Sequence, residues 1–281
     1  MRTYETKEKI VTDSALLGLE GKKALVVGGG SGIGRATSLM LARAGADVVV
    51  GDLSPENASS VAAEVAACGV RAGTVGGDVT VEKEAVEAVN SAAEFHGDQL
   101  DVLVNIVGFA AWKTIFEIDD ETWQLDIARN LTQHLYVSRA AGRHMIDHGT
   151  QGRLALVASV SGIYGAPNHG TYGAAKAGVM DLVRTMSQEW GSHGIRVNAV
   201  APDCIATPRV IASYQGQGID LVEQARAQGV PLGRFGVRDE IAGALVYLVS
   251  DLSTFVTGQT IIVDGGTHAA FPHMKSTTLM S

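Results

Sequence analysis

Short runs of Val, Ile and Leu alternate along the chain with longer stretches in which apolar residues recur every three or four positions. The runs are KALVVGG at 23–29, DVVVGD at 47–52, RAGTVGGD at 71–78, LDVLVNIVG at 100–108, GRLALVAS at 152–159, IRVNAVAP at 195–202 and QTIIVDGG at 259–266. Most lack the polar alternation of a half-exposed strand and read as strands buried on both faces. Between them, SPENASSVAAEVAACG predicts a helix with Ser54 as N-cap, Pro55 at the first helical position and Gly69 just past the end. TVEKEAVEAVNSAAEFHG predicts another, with Thr80 as cap and Gly97 as stop, and RDEIAGALVYLVSD a late amphipathic one.

Strand followed by helix, repeated, predicts an α/β fold: a single-domain doubly wound parallel sheet of about seven strands with helices on both faces. No linker, repeat or low-complexity segment interrupts the pattern, so one domain is expected over 21–267. Residues 1–20 read as an N-terminal extension and 268–281 as a tail containing Phe271, Pro272, His273 and Met274. A long insertion at 208–231, between the sixth strand and the last helix, is expected to form a binding loop or lid.

Composition narrows the function classes. With 46% hydrophobic and 19% charged residues the chain is an ordinary globular protein. A formal charge of −8 without any basic run excludes sequence-independent nucleic-acid or anionic-membrane binding. Cys68 and Cys204 are the only cysteines, which excludes a disulfide framework or all-cysteine zinc site and suits a reducing, cytoplasmic location. The first twenty residues lack the apolar core of a signal peptide. No run reaches the roughly 20 apolar residues of a membrane span.

Candidate chemistry begins at the first strand. GGGSGIG follows it and precedes a helix, where Gly28, Gly32 and Gly34 allow a tight turn, close approach of a pyrophosphate and close helix packing, as in a Rossmann-type nucleotide site. Asp52 ends the second strand, 18 residues after Gly34. A carboxylate there accepts both adenosine ribose hydroxyls and repels a 2′-phosphate, while Ser31 and Leu53 supply no cation, so NAD is expected rather than NADP. Asp78 and Val79 at the third strand end are placed for adenine. Asn105 and Gly108 at the fourth let a cofactor lie over the backbone.

Tyr172 and Lys176 are four apart in a helical stretch and so share a face. Such a pair is ordinarily a lysine stem lying over a ring. A tyrosine of pKa about 10 is a poor base near neutrality unless a cation stabilises its phenolate; a charge pair near 4 Å is worth about 4 kcal/mol at an effective dielectric of 20. On this reasoning Lys176, with a positive nicotinamide, lowers the Tyr172 pKa by about two to three units. His144 and His148, flanking Asp147, read as helix-end residues offsetting the dipole rather than as a metal pair, and no metal site is expected. A serine hydrolase is disfavoured because Ser159 has no GxSxG elbow.

Taken in order, GGGSGIG, NIVG, RNLT, Ser159 with YGAAK, VNAVAPDCIATP and VTGQTIIVDGG make the chain resemble the classical short-chain dehydrogenase/reductases over nearly all of residues 20–267. The resemblance implies a catalytic tetrad of Asn130, Ser159, Tyr172 and Lys176. Tyr172 is then the acid/base, Lys176 its cationic partner and ribose ligand, Ser159 the group that binds the substrate oxygen, and Asn130 the holder of a relay water. It implies cofactor contacts from Gly28, Ser31, Gly32, Ile33 and Gly34, from Asp52, Leu53, Asp78, Val79, Asn105 and Gly108, from Tyr172 and Lys176, and from Pro202, Ile205 and Thr207, the last gripping the carboxamide. Three positions depart from the family pattern: Val27 replaces a threonine, Ile106 and Val107 replace the middle of NNAG, and Asp203 replaces a glycine after Pro202.

Substrate contacts are expected from Ser159, Phe109, Tyr164, His169 and Asp203, with Cys204 a small apolar lining residue. The mostly apolar set suits a medium-sized hydrophobic or cyclic secondary alcohol and its ketone. A 3-oxoacyl-carrier reductase shares every motif, but Asp52 and the acidic charge speak against it. A non-catalytic NAD-binding regulator is the reading from a different class, and the intact tetrad speaks against that. The resemblance also implies a homotetramer, paired through helices at roughly 120–148 and 172–191 and through the last strand.

Overall fold

The computed structural model describes residues 16–269; residues 1–15, and the tail from 270 with Phe271, Pro272, His273 and Met274, lie outside the described part. Seven strands form one sheet: β1 (Lys23–Val27), β2 (Asp47–Gly51), β3 (Ala72–Val75), β4 (Val102–Asn105), β5 (Arg153–Val157), β6 (Arg196–Pro202) and β7 (Thr260–Val263). Their order is β3-β2-β1-β4-β5-β6-β7 and every neighbouring pair is parallel. The chain runs outward from β1 to β3, then crosses back to start β4 on the other side of β1. That reversal opens a crevice beyond the carboxyl ends of β1 and β4.

The uninterrupted apolar runs are divided by the pleat. Ala24 and Val26 of β1 pack with helices α1 (Gly32–Arg43), α2 (Pro55–Ala66) and α9 (Arg238–Val249). Leu25 and Val27, pointing to the other face, pack with α3 (Glu82–Phe95), α5 (Gln133–Asp147) and α6 (Gly170–Trp190). Both faces of the sheet are therefore core, which is why the strand sequences show no polar alternation. The domain packs from slightly before residue 21, because Leu19 is buried and the Leu17 carbonyl accepts from Asp251 N at 2.8 Å.

Local signals hold where backbone chemistry dominates. Ser54 caps α2 by accepting from Asn57 N at 3.2 Å, and Gly69 takes the left-handed conformation just beyond it (φ +87°). Thr80 is not the cap of α3. The helix starts at Glu82 with Val81 at the cap position, and Thr80 closes a turn on the carboxylate two residues back, its N–H and hydroxyl donating to Asp78 Oδ1 at 3.0 and 2.7 Å. The helix expected over 120–148 is broken into α4 (Asp120–Ile127), a widened π turn (Ala128–Thr132) and α5. The insertion folds into α7 (Pro208–Gly216) and α8 (Leu221–Ala227), held by a small cluster of Ala225, Val230 and Phe235.

At the amino end of β2, Asp47 accepts from Lys23 Nζ at 2.6 Å, Arg71 N at 2.9 Å and Arg71 Nε at 3.0 Å. Desolvation raises its pKa, but these three hydrogen bonds outweigh it and hold the carboxyl at about 2. A folded pKa below the unfolded value of about 3.9 gives stability that is present above pH 4 and lost as pH falls through 2. Asp47→Asn should cost about 1–3 kcal/mol at pH 7, read by urea melts, and should flatten the acid loss of stability between those two pH values.

Candidate active site

The turn from β1 into α1 is built by glycines for steric reasons. Gly28 has φ +78°, and a Cβ there would meet Val107 at 3.2 Å; a Cβ on Gly34 would lie 1.9 Å from the Gly28 carbonyl oxygen. Ser31 takes the N-cap position of α1. The first-turn N–H groups of α1, which have no intrahelical acceptor, form the anion-binding end of the helix. A groove of about 820 Å³ runs past this turn, lined by Gly28, Ser31, Gly32 and Ile33, then Asp52, Leu53, Asp78 and Val79 on one side. Gly108, Phe109, Arg129, Thr207 and Arg209 line the other.

Asp52 is fixed within that groove: Oδ2 accepts from Gly30 N at 2.9 Å and Oδ1 from Ser54 N at 3.0 Å. Asp78 Oδ1 accepts from Thr80 N at 3.0 Å. Asn105, Pro202 and Ile205, also expected at the cofactor, are not among the residues lining the groove. Asn105 is buried and donates to Gln133 Oε1 at 2.8 Å, so it holds the NIVG turn to α5. Pro202 ends β6. Ile205 lines a separate cavity of about 100 Å³ together with Asp203 and Cys204.

Ser159, Tyr172, Lys176 and Asn130 converge beyond β4 and β5. Ser159 caps a single 3-10 turn (Val160–Gly162) by accepting from Ser161 N at 3.2 Å, and its side chain also hydrogen-bonds Tyr172. Lys176, one helical turn after Tyr172, is almost wholly buried (1% exposed) and donates to the Val157 carbonyl at 2.8 Å; its Nζ lies 5.7 Å from the Tyr172 ring centroid. Asn130 sits in the π turn with both of its amide donors and one lone pair of Oδ1 engaged. Its Oδ1 accepts from Phe109 N at 2.8 Å, and Nδ2 donates to the Phe109 carbonyl at 2.8 Å and the Asp126 carbonyl at 2.9 Å. Its side chain therefore pins the loop after β4. Thr171 lies inside α6 and donates its hydroxyl to the Asp126 carboxylate.

On the substrate side, His169 Nδ1 lies 2.9 Å from Ser161 Oγ, with its ring centroid 4.3 Å from Trp112 and 5.4 Å from Tyr172. Tyr164 stacks on His268, and Phe109 lies under the Arg209 guanidinium at 4.7 Å. Away from the site, His144 and His148 stack on each other with centroids 4.1 Å apart.

A family profile described as enoyl-(acyl carrier protein) reductase matches residues 28–268. The 3-oxoacyl-[acyl-carrier-protein] reductase of Thermotoga maritima is 38% identical over 88% of this chain and 98% of its own length. Cis-4-hydroxycyclohexanecarboxylate dehydrogenase of Sinomonas cyclohexanicum is 40% identical over 86% and 95%. This chain belongs to the short-chain dehydrogenase/reductase family. The crystal structure of an acetoin dehydrogenase from Salmonella typhimurium superposes with a TM-score of 0.82, at 32% identity, over 91% of this chain and 99% of that one.

As a short-chain dehydrogenase/reductase, the protein is a nicotinamide-dependent oxidoreductase acting on CH–OH groups. The glycine turn and groove fit such a dinucleotide: the backbone leaves no room for side chains where the pyrophosphate would approach, and carboxylates stand at the adenosine end. Among the described residues, no helix is long and apolar enough to cross a membrane.

In this short-chain dehydrogenase/reductase, burial acts on Tyr172 against the lowering expected from Lys176 and a nicotinamide cation. Burial raises the Tyr172 pKa above its ordinary value; the Ser159 hydrogen bond and the Arg209 charge oppose this without reversing it, and Asp126 reinforces it. Lys176 is brought down to about 7 by burial. A lysine that gives up its proton this readily is a weaker stabiliser of phenolate than the exposed-pair estimate supposes, so Tyr172 rests as the neutral acid. Burial also pushes the Cys204 thiol up to about 12, helped by Asp203, which leaves it unreactive.

The sequence reading missed Gln133 and His134, adjacent polar residues that α5 turns inward, and Arg129 on the groove. The available signal was polarity in the inward phase of a helix, visible only once that phase is known. Two outcomes are expected. Gly34→Ala should weaken dinucleotide binding at least about tenfold in a fluorescence titration, since its Cβ forces apart the turn and α1. Lys176→Met should abolish turnover without lowering thermal stability at pH 7. The lysine's folded pKa lies below its unfolded value of about 10.4, so wild-type stability rises as pH climbs from 7 towards that value, and the variant's advantage is greatest at or below pH 7.

Proposed function

We propose that this enzyme interconverts a secondary alcohol and its ketone with NAD, Tyr172 exchanging the hydroxyl proton. The observation that carries this is the convergence of Ser159, Tyr172 and Lys176 beside the groove that presents Asp52: a Cβ on Gly108, which lines the groove, would lie 3.0 Å from Lys176 Nζ. The nicotinamide supplies the hydride acceptor in oxidation and the donor in reduction. Ser159 hydrogen-bonds the substrate oxygen beside the phenol. In oxidation Tyr172 first releases its own proton towards solvent by the Lys176 side and, as phenolate, takes the hydroxyl proton; in reduction the neutral phenol gives its proton to the forming alkoxide. Lys176 holds the nicotinamide ribose and supplies the charge that favours the phenolate. Asn130 holds the loop carrying Gly108 and Phe109, and its π turn offers backbone groups to a water that joins Lys176 to solvent. Thr207, which caps α7 by accepting from Val210 N at 3.3 Å, keeps a hydroxyl proton for the carboxamide.

The preference for NAD rests on Asp52, a fixed carboxylate at the adenosine ribose. Arg35, the cation in the first turn of α1, is committed to Glu64 through Nε at 2.8 Å and a second, closer contact. A medium-sized hydrophobic or cyclic substrate is supported by Phe109, Trp112 and Tyr164, all exposed at the mouth, and by the relative that acts on a hydroxylated cyclohexane ring. Reduction of 3-oxoacyl groups on a carrier is the second reading, supported by the Thermotoga relative; the chain's charge of −8 disfavours docking an acidic carrier. A homotetramer, residing in the cytoplasm, is part of this proposal. Ile115, Phe116, Trp123 and Leu125 form an exposed apolar strip along α4 and the segment before it, and Phe255 is fully exposed before β7.

Initial rates decide between the readings. Cyclic secondary alcohols with NAD should be turned over faster than acyl thioesters with either cofactor, and Tyr172→Phe should lose about 10²–10⁴-fold in kcat while binding the dinucleotide normally. A strong NADP preference would overturn the role given to Asp52. No turnover across an alcohol panel would favour a regulator.

A further inference from the structure

Of the two adjacent polar residues that α5 buries in its first turn, Gln133 is satisfied by the β4 turn: Nε2 donates to the Val107 carbonyl at 3.1 Å and Oε1 accepts from Asn105. His134 has a different neighbour. Its Nε2 lies 3.4 Å from Lys176 Nζ, and both side chains are fully enclosed. An ammonium has donors only, so this contact is favourable when Nε2 is a bare lone pair and the ring proton sits on Nδ1, which is buried without a hydrogen-bond partner among the described residues and so leaves the ring's hydrogen bond to Nε2. Burial and then the Lys176 charge hold the imidazole well below its ordinary pKa, with the Val107 carbonyl opposing them, so the ring is neutral across the working range. Lys176 is thereby gripped by two acceptors, the Val157 carbonyl and His134, and its third N–H is free for the Tyr172 side.

The geometry points to His134 as a positioning residue: a neutral imidazole that accepts from Lys176 Nζ and aims the ammonium at Tyr172 and the cofactor ribose. This rests on the Tyr172–Lys176 reading of the site. The other charged or titratable groups bearing on the pair are Asp126 at the end of α4 and Arg209 on α7, and both act on Tyr172. Nothing in the family's tetrad requires a histidine four residues after its asparagine. The residue tunes this chain's version of the common machinery.

The test uses the NAD-loaded enzyme. His134→Leu removes the acceptor, whereas His134→Gln places Oε1 the same number of bonds from the backbone as Nε2. His134→Leu should lower kcat for alcohol oxidation about tenfold, leave the KM for NAD within about threefold, and move the alkaline limb of the pH profile down by about one unit. The sign follows because an ammonium that has lost an acceptor releases its proton at lower pH. His134→Gln should restore most of both effects. Wild-type kcat and limb in a folded His134→Leu enzyme would overturn the proposal, as would equal losses of activity and Tm in both variants without a limb shift. Nitrogen-15 shifts of the wild-type enzyme give an answer that needs no variant: a bare Nε2 and protonated Nδ1 are expected, and a proton on Nε2 refutes it. If the wild type oxidises no alcohol with NAD, the functional reading fails, and the nitrogen shifts still judge the His134 contact separately.

Discussion

Seven parallel strands end on one edge of the sheet, and everything else about the site follows from that constraint. A parallel sheet can be covered only by crossover helices on its faces, so both faces are dry and the loops that leave the strands open together at the carboxyl edge. The crevice lies where the order reverses between β1 and β4. The glycines from Gly28 to Gly34 let α1 start directly against it, and Asp52, Asp78 and Gly108 reach it from the ends of β2, β3 and β4.

The costliest group placed at this edge is the Lys176 amine, enclosed almost completely. A buried cation must find acceptors or give up its proton, and here it does some of each, with its pKa drawn down to about 7 and its nitrogen held by the Val157 carbonyl and His134. Around it lies a polar layer with few loose ends. Asn130 holds the Phe109 backbone, Gln133 holds Asn105 and Val107, and Asp126 accepts from Thr171. Three of these residues come from the segment in which the helix widens into a π turn, a distortion that often marks functional sites. Tyr172 and Lys176 come from one helix, but their protonation is set by burial and by groups that other elements bring to them, among them Asp126, Ser159 and Arg209.

How much could be read in advance differs by residue. The seven strands were legible because a run buried on both faces has no polar alternation, and Ser54, Pro55 and Gly69 were legible because capping and turn conformations depend on the residues themselves. Thr80 misled because its N–H and hydroxyl both close on Asp78, and the helix starts one residue later than a cap at Thr80 would give. The break at residues 128–132 left no mark in the pattern, since no proline or glycine lies within it. That the Asn105 side chain faces α5 is shown only by the packing of that helix.

The residues themselves were enough to determine the strand and helix order, the glycine turn, the carboxylate at the end of β2, and the Tyr172–Lys176 pair on one helical face. Each depends on chain-local geometry: period, propensity, or a fixed spacing along a strand or helix. Tertiary structure alone decided the protonation of that pair and the identity of its neighbours. Desolvation and hydrogen bonding act through space, and they bring His134, 42 residues away in sequence, to within 3.4 Å of the lysine nitrogen.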